Sequence, residues 1–292
     1  MRTLPQLAGV RHRYLEVNGV RLHLAEAGTG PPLLLLHGWP QHWWCWRRLI
    51  PRLAQSYRVL APDLRGFGWS EAPRGDYSKA TFAADILALL DSEGLPQVRI
   101  IGHDWGAYAA FLIALERPER VQRLLALDIS PPWSGLPRPR NALLPLLAIY
   151  QVLLATPLVG RRLLMNGPGL VRSIIRAGSA RDARWSTEEL DIYGLVLREP
   201  DRAAASAACY RTFLIREMPA LAAGGDRSGE LRVPTLLAMG QRSAIRLALD
   251  PRPAGHLRVV TIAQAGHFLP EEAPEKVLAL ASSWFAESAP AA

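Results

Sequence analysis

The chain reads VRIIGHDWG over residues 98–106, and this stretch decides the fold. Its first four residues are mostly apolar, which suits a short strand buried on both faces of a sheet. Asp104 then stands between Gly102 and Gly106, and an apolar helical pattern follows over 107–117. Glycine on both sides permits a turn so sharp that the central side chain stands clear of the sheet, as in a nucleophile elbow. We therefore predict that Asp104 is a nucleophile, because a simple helix N-cap needs neither glycine.

Other short apolar runs flank this strand along the chain. They cover residues 33–36, 58–61, 124–127, 235–238 and 256–262, and a hairpin precedes them, with strands at 13–17 and 20–24 joined by Asn18-Gly19. Helical patterns separate most of the runs, at 44–55, 79–93, 107–117 and 273–285. Alternating strands and helices predict an α/β fold, with a mostly parallel sheet and helices on both of its faces.

The alternation breaks between the runs at 124–127 and 235–238. Residues from about 131 to about 225 show helical periodicity with Pro and Gly punctuation, and they contain no convincing strand. This pattern predicts a helical insertion. We assign residues 1–132 and 225–292 to the α/β core and residues 133–224 to a helical cap, or lid. A chain of 292 residues is long enough for this arrangement.

Charge and composition limit the classes of partner. The chain is 49% hydrophobic and 21% charged, as in a folded globular protein, and its net charge is +8. Only two of the 34 basic residues are lysines, Lys79 and Lys276, and the arginines are spread along the chain as singles and pairs. Because a nucleic-acid site needs clustered cations, we predict no nucleic-acid partner.

Cys45 and Cys209 are the only cysteines, and neither belongs to a disulfide framework or a Cys/His ligand pattern. We therefore expect no metal and no cofactor. Residues 1–10 lack the apolar core of a signal peptide, so we expect a cytoplasmic protein. The uncharged stretch 142–160 approaches the length of a membrane span, but it is interrupted by Pro145, Gln151, Pro157 and Gly160. We interpret it as lid helix and expect no membrane partner.

Two further segments are typical of a catalytic site. His37-Gly38-Trp39-Pro40 follows the run 33–36 and is expected beside the elbow, so the main-chain N–H groups of Trp39 and Trp105 are the predicted oxyanion-hole donors. The Trp39-Pro40 bond is a candidate cis peptide. Gly266-His267-Phe268 follows the last run, and His267 is the only one of the seven histidines placed there. We predict that His267 is the general base.

These motifs together resemble the epoxide hydrolase branch of the α/β-hydrolase superfamily, whose near relatives are haloalkane and haloacetate dehalogenases. The resemblance is densest over 33–132, where the chain reads HGWP (37–40), DLRGFGWS (63–70) and GHDWG (102–106), and it returns at GHF (266–268). Over the insertion it is weak. It implies an α/β-hydrolase fold with a helical lid, a small hydrophobic epoxide as substrate, and hydrolysis by Asp104 and His267. A homodimer is compatible with it.

The chain departs from the family at the acid that orients the base. The family's commonest acid follows the strand that corresponds to 235–238, but the residues there are Gly240-Gln241-Arg242-Ser243. An alternative position in the superfamily follows the preceding strand, where this chain has Asp128. We choose Asp128 as the acid and keep Asp250 as the second candidate. The simpler alternative is that Asp128 only ends a strand.

A carboxylate nucleophile restricts the substrate. Attack on an ester or amide would produce a high-energy anhydride, whereas attack on saturated carbon produces an ordinary ester. This points to a strained epoxide or a carbon that bears a halide. Epoxide opening develops a basic alkoxide, which phenols can protonate. In the family two lid tyrosines do this. Tyr210, in Cys209-Tyr210-Arg211, matches one of them, and Tyr150 is placed by rough position, with Tyr193 as its substitute.

Three alternatives differ in what they require. The haloacetate dehalogenases carry Arg just after the nucleophile, and here residues 105–109 read WGAYA. This absence disfavours them. A haloalkane dehalogenase stays open, because the indole N–H groups of Trp39 and Trp105 could bind a halide. A non-catalytic receptor on the same fold would have lost Asp104 or His267, and both are present.

Overall fold

The computed structural model describes residues 3–134, 144–223, 230–249 and 255–287. Its strands are β1 (Val10–Val17), β2 (Val20–Ala27), β3 (Pro32–Leu36), β4 (Arg58–Pro62), β5 (Val98–His103), β6 (Val121–Leu127), β7 (Thr235–Gly240) and β8 (Leu257–Ile262). They form one sheet in the order β1-β2-β4-β3-β5-β6-β7-β8. The β1–β2 and β2–β4 pairs are antiparallel, and every later pair is parallel. The predicted fold class, a mostly parallel α/β sheet of the α/β-hydrolase type, is confirmed.

The helices alternate with the strands on the chain as the sequence indicates. They are α1 (Ile50–Leu53), α2 (Lys79–Ser92), α3 (Trp105–Glu116), α4 (Leu144–Ala155), α5 (Val159–Met165), α6 (Gly169–Gly178), α7 (Thr187–Val196), α8 (Pro200–Thr212), α9 (Met218–Ala223), α10 (Ala244–Leu249), α11 (Leu269–Glu272) and α12 (Pro274–Ala286). Short 3₁₀ segments lie at Trp43–Trp46 and Pro118–Arg120, and a π-helical turn at Phe213–Glu217 joins α8 to α9.

The prediction of one helix over 44–55 is wrong. The chain instead makes the 3₁₀ turn Trp43–Trp46 and then the four-residue helix α1. Pro51 lies in the first turn of α1, where a missing N–H costs nothing, but it could not continue a helix that began earlier. The two pieces still bury Trp43, Trp46 and Leu53 in the core of the fold.

All the described residues between β6 and β7 that form regular structure are helical, in α4 to α9. Helix α8 packs against both α4 and α5. Within the uncharged stretch 142–160, α4 is 12 residues long and ends at Ala155. Among the described helices, none has the length and apolar character needed to cross a bilayer.

The centre of the sheet is the core of the fold. Leu33 to Leu36 of β3 are each fully buried, and so are Ile100 and Ile101 of β5. Burying one such side chain stabilises the fold by about 1.5–3 kcal/mol, so the central strands are held firmly in register. Because β3 and β5 to β8 are parallel, their carboxyl ends lie at one edge of the sheet, where α/β proteins place their ligands. The residues that follow these ends form the candidate site.

Candidate active site

Asp104 occupies the turn between β5 and α3 with a backbone φ of 50° and ψ of −127°. L-residues rarely adopt positive φ, so the surrounding chain imposes this conformation. Both neighbouring glycines are needed for it. A Cβ at Gly106 would lie 2.3 Å from the carbonyl oxygen of Leu36, and a Cβ at Gly102 would lie 2.6 Å from Cα of Ala107. The elbow therefore presses against the end of β3 and lifts the Asp104 side chain above the sheet edge.

The HGWP segment lies against this side chain. The main-chain N–H of Trp39 donates to Oδ1 of Asp104 at 2.9 Å, and the main-chain N–H of Trp105 also bonds to this carboxyl. A Cβ at Gly38 would lie 2.2 Å from the same Oδ1, so only glycine fits there. The Trp39-Pro40 peptide is cis. Two main-chain donors thus converge on Asp104, as the sequence predicts for Trp39 and Trp105.

His267 lies between two carboxylates. Its Nδ1 is 2.7 Å from Oδ2 of Asp128, and its Nε2 is 3.6 Å from Oδ2 of Asp104. Asp128 directly follows β6, is fully buried, and also accepts hydrogen bonds from Gly240 N–H at 2.8 Å and Ser243 Oγ at 2.6 Å. The structure therefore brings Asp104, His267 and Asp128 together. Asp250 lies outside the described residues.

The charges of the three groups reinforce one another. Burial alone would lower the pKa of His267, but hydrogen bonds and charge attraction from Asp104 and Asp128 raise that pKa to about 10. Burial likewise opposes ionisation of Asp104, but the hydrogen bond and charge of His267 outweigh it and lower the pKa of Asp104. In the resting site at neutral pH, an imidazolium therefore lies between two carboxylates.

His103 holds the main chain of His267, the predicted base. Burial lowers the pKa of His103 to about 3, so its ring is neutral at neutral pH. A neutral ring with its proton on Nε2 donates to the carbonyl oxygen of His267, 2.9 Å away. The histidine that precedes Asp104 in the sequence thereby supports His267, which follows the last strand.

Tyr150 and Tyr210 meet above the elbow although they come from different helices, α4 and α8. Their ring centroids are 5.8 Å apart, and their hydroxyls are hydrogen-bonded to each other. Both rings contact Trp39, at centroid distances of 6.1 Å and 5.1 Å, and Tyr210 also contacts Trp105 at 6.2 Å. Burial raises the pKa of both phenols, and the negative charge of Asp104 adds to this. Both therefore keep their protons at neutral pH.

Tyr193 lies elsewhere. Its hydroxyl donates to Oε1 of Glu271 at 2.9 Å, and its ring lies 5.0 Å from the ring of His42. Gln41 donates to the other oxygen of Glu271 at 2.7 Å, so this buried group already has its partners. The tyrosine that the structure pairs with Tyr210 is Tyr150.

Two serines contribute contacts that the sequence did not predict. Ser243, which cannot replace an acid, instead donates to Asp128, and its Oγ accepts from the N–H of Ile245 at the start of α10. Ser206 accepts the indole N–H of Trp39 at 3.2 Å. A signal for Ser206 was available, because it lies four residues before Tyr210 and therefore on the same face of the helix.

Lys79 is a third residue without a predicted role. It is fully buried, pairs with Glu217 at 2.6 Å, and places its Nζ 4.1 Å from the ring centre of Trp105. Its ion pair with Glu217 connects the start of α2, in the core, to the helical insertion, next to the ring of Trp105. Cys209 lies 3.8 Å from the same ammonium, and burial raises the pKa of its thiol to about 11. Among the described residues, no group of His, Cys, Asp and Glu has the arrangement of a metal site.

Comparison with known proteins agrees with this geometry. A family model for the alpha/beta hydrolase fold matches residues 31–174, which include the elbow. The chain is 33% identical to a soluble epoxide hydrolase of Corynebacterium sp. (strain C12), over 95% of this chain and 98% of that protein. It is 42% identical to epoxide hydrolase 2 of Siraitia grosvenorii over 123 residues, which are 41% of this chain and 39% of that protein. A solved structure of the epoxide hydrolase CorEH superposes with a TM-score of 0.82 at 32% identity, covering 95% of this chain and 99% of that one.

The fold and the site define an α/β-hydrolase with a carboxylate at the nucleophile position. The similarity to the Corynebacterium epoxide hydrolase covers nearly the whole of both chains. The chain therefore belongs to the epoxide hydrolase branch of the α/β-hydrolase superfamily.

Proposed function

We propose that this protein is an epoxide hydrolase, which adds water to a small hydrophobic epoxide and releases a vicinal diol. The observation that carries the proposal is the pair of protonated phenols on the lid side of Asp104, of which Tyr210 is buried and Tyr150 is half-buried. Between the nucleophile and these donors lie Trp39 and Trp105, whose rings give the space apolar walls. The named relatives of this chain are epoxide hydrolases.

The first step is alkylation of Asp104. One carboxylate oxygen attacks a ring carbon, and the carbon–oxygen bond of the strained ring breaks. The oxygen that leaves the carbon becomes an alkoxide, which is much more basic than a phenolate with its ordinary pKa near 10. Tyr210 or Tyr150 therefore protonates it as it forms. The product of this step is a neutral ester between Asp104 and the opened substrate.

The ester changes the charge next to His267. Once Asp104 is esterified, one of the two carboxylates that raise the pKa of His267 is gone, so this pKa falls below about 10. The imidazolium of His267 then gives its proton to the tyrosinate that the first step left behind. The tyrosine is protonated again, and His267 becomes a neutral base. Alkylation of the nucleophile thus activates the base for the second step.

The second step is hydrolysis of the ester. His267, held through Nδ1 by Asp128, takes a proton from a water molecule that attacks the carbonyl carbon of the Asp104 ester. The N–H groups of Trp39 and Trp105 stabilise the oxyanion, since both already point at this carboxyl group. Release of the diol restores the carboxylate and the imidazolium, and the water supplies the second hydroxyl.

The helical insertion serves this chemistry as a lid. We propose that residues 133–224 form the cap and that residues 1–132 and 225–292 form the core, because both tyrosines belong to the insertion whereas the nucleophile, base and acid belong to the core. We further propose a cytoplasmic enzyme, because the relative of this chain in Corynebacterium sp. (strain C12) is named a soluble epoxide hydrolase.

Haloalkane dehalogenation is the second candidate, and a specific observation favours it. The indole N–H of Trp105 is buried, has no hydrogen-bond partner among the residues that the structure describes, and could bind a halide. The indole N–H of Trp39, which would be the second halide donor, is already bound to Ser206. Of the two functions, the site therefore supports epoxide hydrolysis better.

The experiment that tests the proposal combines substrate class with the lid phenols. Aryl epoxides, alkyl epoxides and haloalkanes are incubated with the parent enzyme and with the Tyr150→Phe, Tyr210→Phe and double variants. We expect turnover of epoxides by the parent and a loss of about two to four powers of ten in the alkylation rate of the double variant. Each single variant should lose less, because the two donors can replace each other.

Tyr193→Phe is the matched control. It removes a buried phenolic hydroxyl from the same insertion. Because that hydroxyl is bound to Glu271 and lies away from Asp104, epoxide opening should keep the parent rate. Turnover of haloalkanes without turnover of epoxides would refute the proposal in favour of the second candidate. A double variant that opens epoxides as fast as the parent would remove both tyrosines from the mechanism.

A further inference from the structure

Glu272 binds the main chain on both sides of His267. Its Oε1 accepts the N–H of Phe268 at 2.8 Å, and its Oε2 accepts the N–H of Gly266 at 2.9 Å. The carboxylate lies at the end of α11, five residues after the base, so the chain folds back on itself around the imidazole. Hydrogen bonds from N–H groups to a carboxylate are among the stronger ones in proteins.

The same carboxylate also binds the helical insertion. Oε2 of Glu272 accepts the N–H of Ala180 at 2.8 Å, just beyond α6. The N–H of His267 itself donates to the carbonyl oxygen of Gly178 at 2.8 Å. A Cβ at Gly266 would lie 2.6 Å from the nitrogen of Ala180, so the loop of the base and the insertion are in direct contact. Residues 178–180 are thus part of the support of the base.

We propose that Glu272 is a positioning residue for the hydrolytic step. It joins the His267 loop to residues 178–180, so the insertion helps to keep the imidazole in place between Asp104 and Asp128. The imidazole ring can shift only slightly without loss of function, because Nδ1 must stay 2.7 Å from Asp128 while Nε2 points to the ester of Asp104. This inference rests on the proposed function, and it adds that the lid acts on the base as well as on the leaving oxygen.

The consequence is specific to one half-reaction. Alkylation needs Asp104 and the tyrosines, and the three hydrogen bonds of Glu272 go to none of these residues. Ester hydrolysis in addition needs His267 to aim at a water molecule. A displacement of about 1 Å can cost about a hundredfold in rate. We therefore expect Glu272→Gln to slow hydrolysis of the ester by about tenfold to about a hundredfold and to leave the alkylation rate unchanged. The alkyl-enzyme should then accumulate.

The test measures both half-reactions by rapid quench and intact mass in the parent, Glu272→Gln, Glu272→Asp and Glu275→Gln. Glu275 is an exposed carboxylate in the first turn of α12, so its variant is a matched control and should behave as the parent. Glu272→Asp keeps the charge but shortens the side chain by one methylene, so it should fail like Glu272→Gln if the three hydrogen bonds matter. An aspartate variant with the parent's hydrolysis rate would overturn the positioning role.

A spectroscopic measurement needs no substrate. The Nδ1–H proton of His267, in its hydrogen bond to Asp128, should give a downfield NMR signal in the parent and in Glu275→Gln. In Glu272→Gln this signal should broaden or move, whereas a role in stability alone would lower Tm and leave the signal unchanged. The two hypotheses also fail separately. A parent without epoxide turnover contradicts the proposed function, and an unaltered signal and hydrolysis rate in Glu272→Gln contradict the positioning role of Glu272.

Discussion

Replacing Asp128 with Asn should disable the base and leave the nucleophile intact. Oδ2 of Asp128 accepts from both His267 Nδ1 and Ser243, and Oδ1 accepts from Gly240 N–H. An amide has only one oxygen, so it cannot accept all three hydrogen bonds. The Ser243 hydroxyl can turn and accept from the amide, but Gly240 N–H cannot, so the NH₂ group takes the place of Oδ2. It then donates to Nδ1 of His267 and forces the proton onto Nε2.

This tautomer is wrong for hydrolysis, because Nε2 must be free to take a proton from water. The loss of charge adds to the effect. At a charge separation of about 4 Å and an effective dielectric constant of about 20, the attraction between an imidazolium and a carboxylate is about 4 kcal/mol. Removing it from the transition state corresponds to about a thousandfold in rate. With the wrong tautomer included, a loss of about three to four powers of ten is expected, as in the comparable Asp→Asn change in a serine protease triad.

The assay follows the ester rather than the product. Asp128→Asn is mixed with an epoxide in single turnover, and the alkyl-enzyme is counted by intact mass at each time. We expect alkylation near the parent rate and slow decay of the ester. A second change, Ser243→Asp, should recover part of the decay rate, because Ser243 Oγ already lies 2.6 Å from the oxygen that binds His267 and aspartate is favoured at a helix start. Ester decay at the parent rate in Asp128→Asn alone would refute this reasoning.

Three other predictions concern the nucleophile and the base. A single turnover in heavy-oxygen water with enzyme in excess should label the peptide that contains Asp104, and label found only in the diol would contradict a covalent ester. His267→Gln should be alkylated at the parent rate but fail to hydrolyse the ester, so an intact-mass measurement should show a lasting adduct; a variant that turns over normally would exclude His267 as the base. Asp104→Asn removes the negative charge of the carboxylate, as esterification does, while Asp128 and His103 stay beside His267. The pKa of His267 should therefore fall from about 10. An NMR titration that finds the parent's pKa in this variant would contradict the activation of the base by alkylation.

The sequence predicts the sheet and the elbow well because both depend on local patterns. The buried strands are continuous apolar runs, and the glycines around Asp104 are required by contacts of 2.3 Å and 2.6 Å that a Cβ would make. The helix predicted over 44–55 is wrong for an equally local reason, since Pro51 divides it. Apolar composition alone did not reveal that division.

The lid is harder to predict because its contacts depend on how separate helices pack. Tyr210 has a motif beside it, but Tyr150 meets it only because α4 packs against α8, and no local pattern specifies that pairing. Tyr193 is also a tyrosine of the insertion and is as deeply buried as Tyr210, and yet it binds Glu271. In the sequence Lys79 was only one of two lysines and had no predicted role. In the structure it is fully buried, with its ammonium group beside the ring of Trp105.

The position of the acid shows which part of the triad the fold determines. β6 and β7 are neighbouring parallel strands, with Leu127 beside Ala238, so the residues that follow them reach the same space beside His267. This geometry supports our proposal that Asp128, which lies 2.7 Å from Nδ1 of His267, acts as the acid although the end of β7 holds Ser243. Ser243 still faces that space, and its hydroxyl donates a hydrogen bond to Asp128 at 2.6 Å. The ends of β6 and β7 therefore reach the same space beside His267, and in this chain the end of β6 supplies the carboxylate.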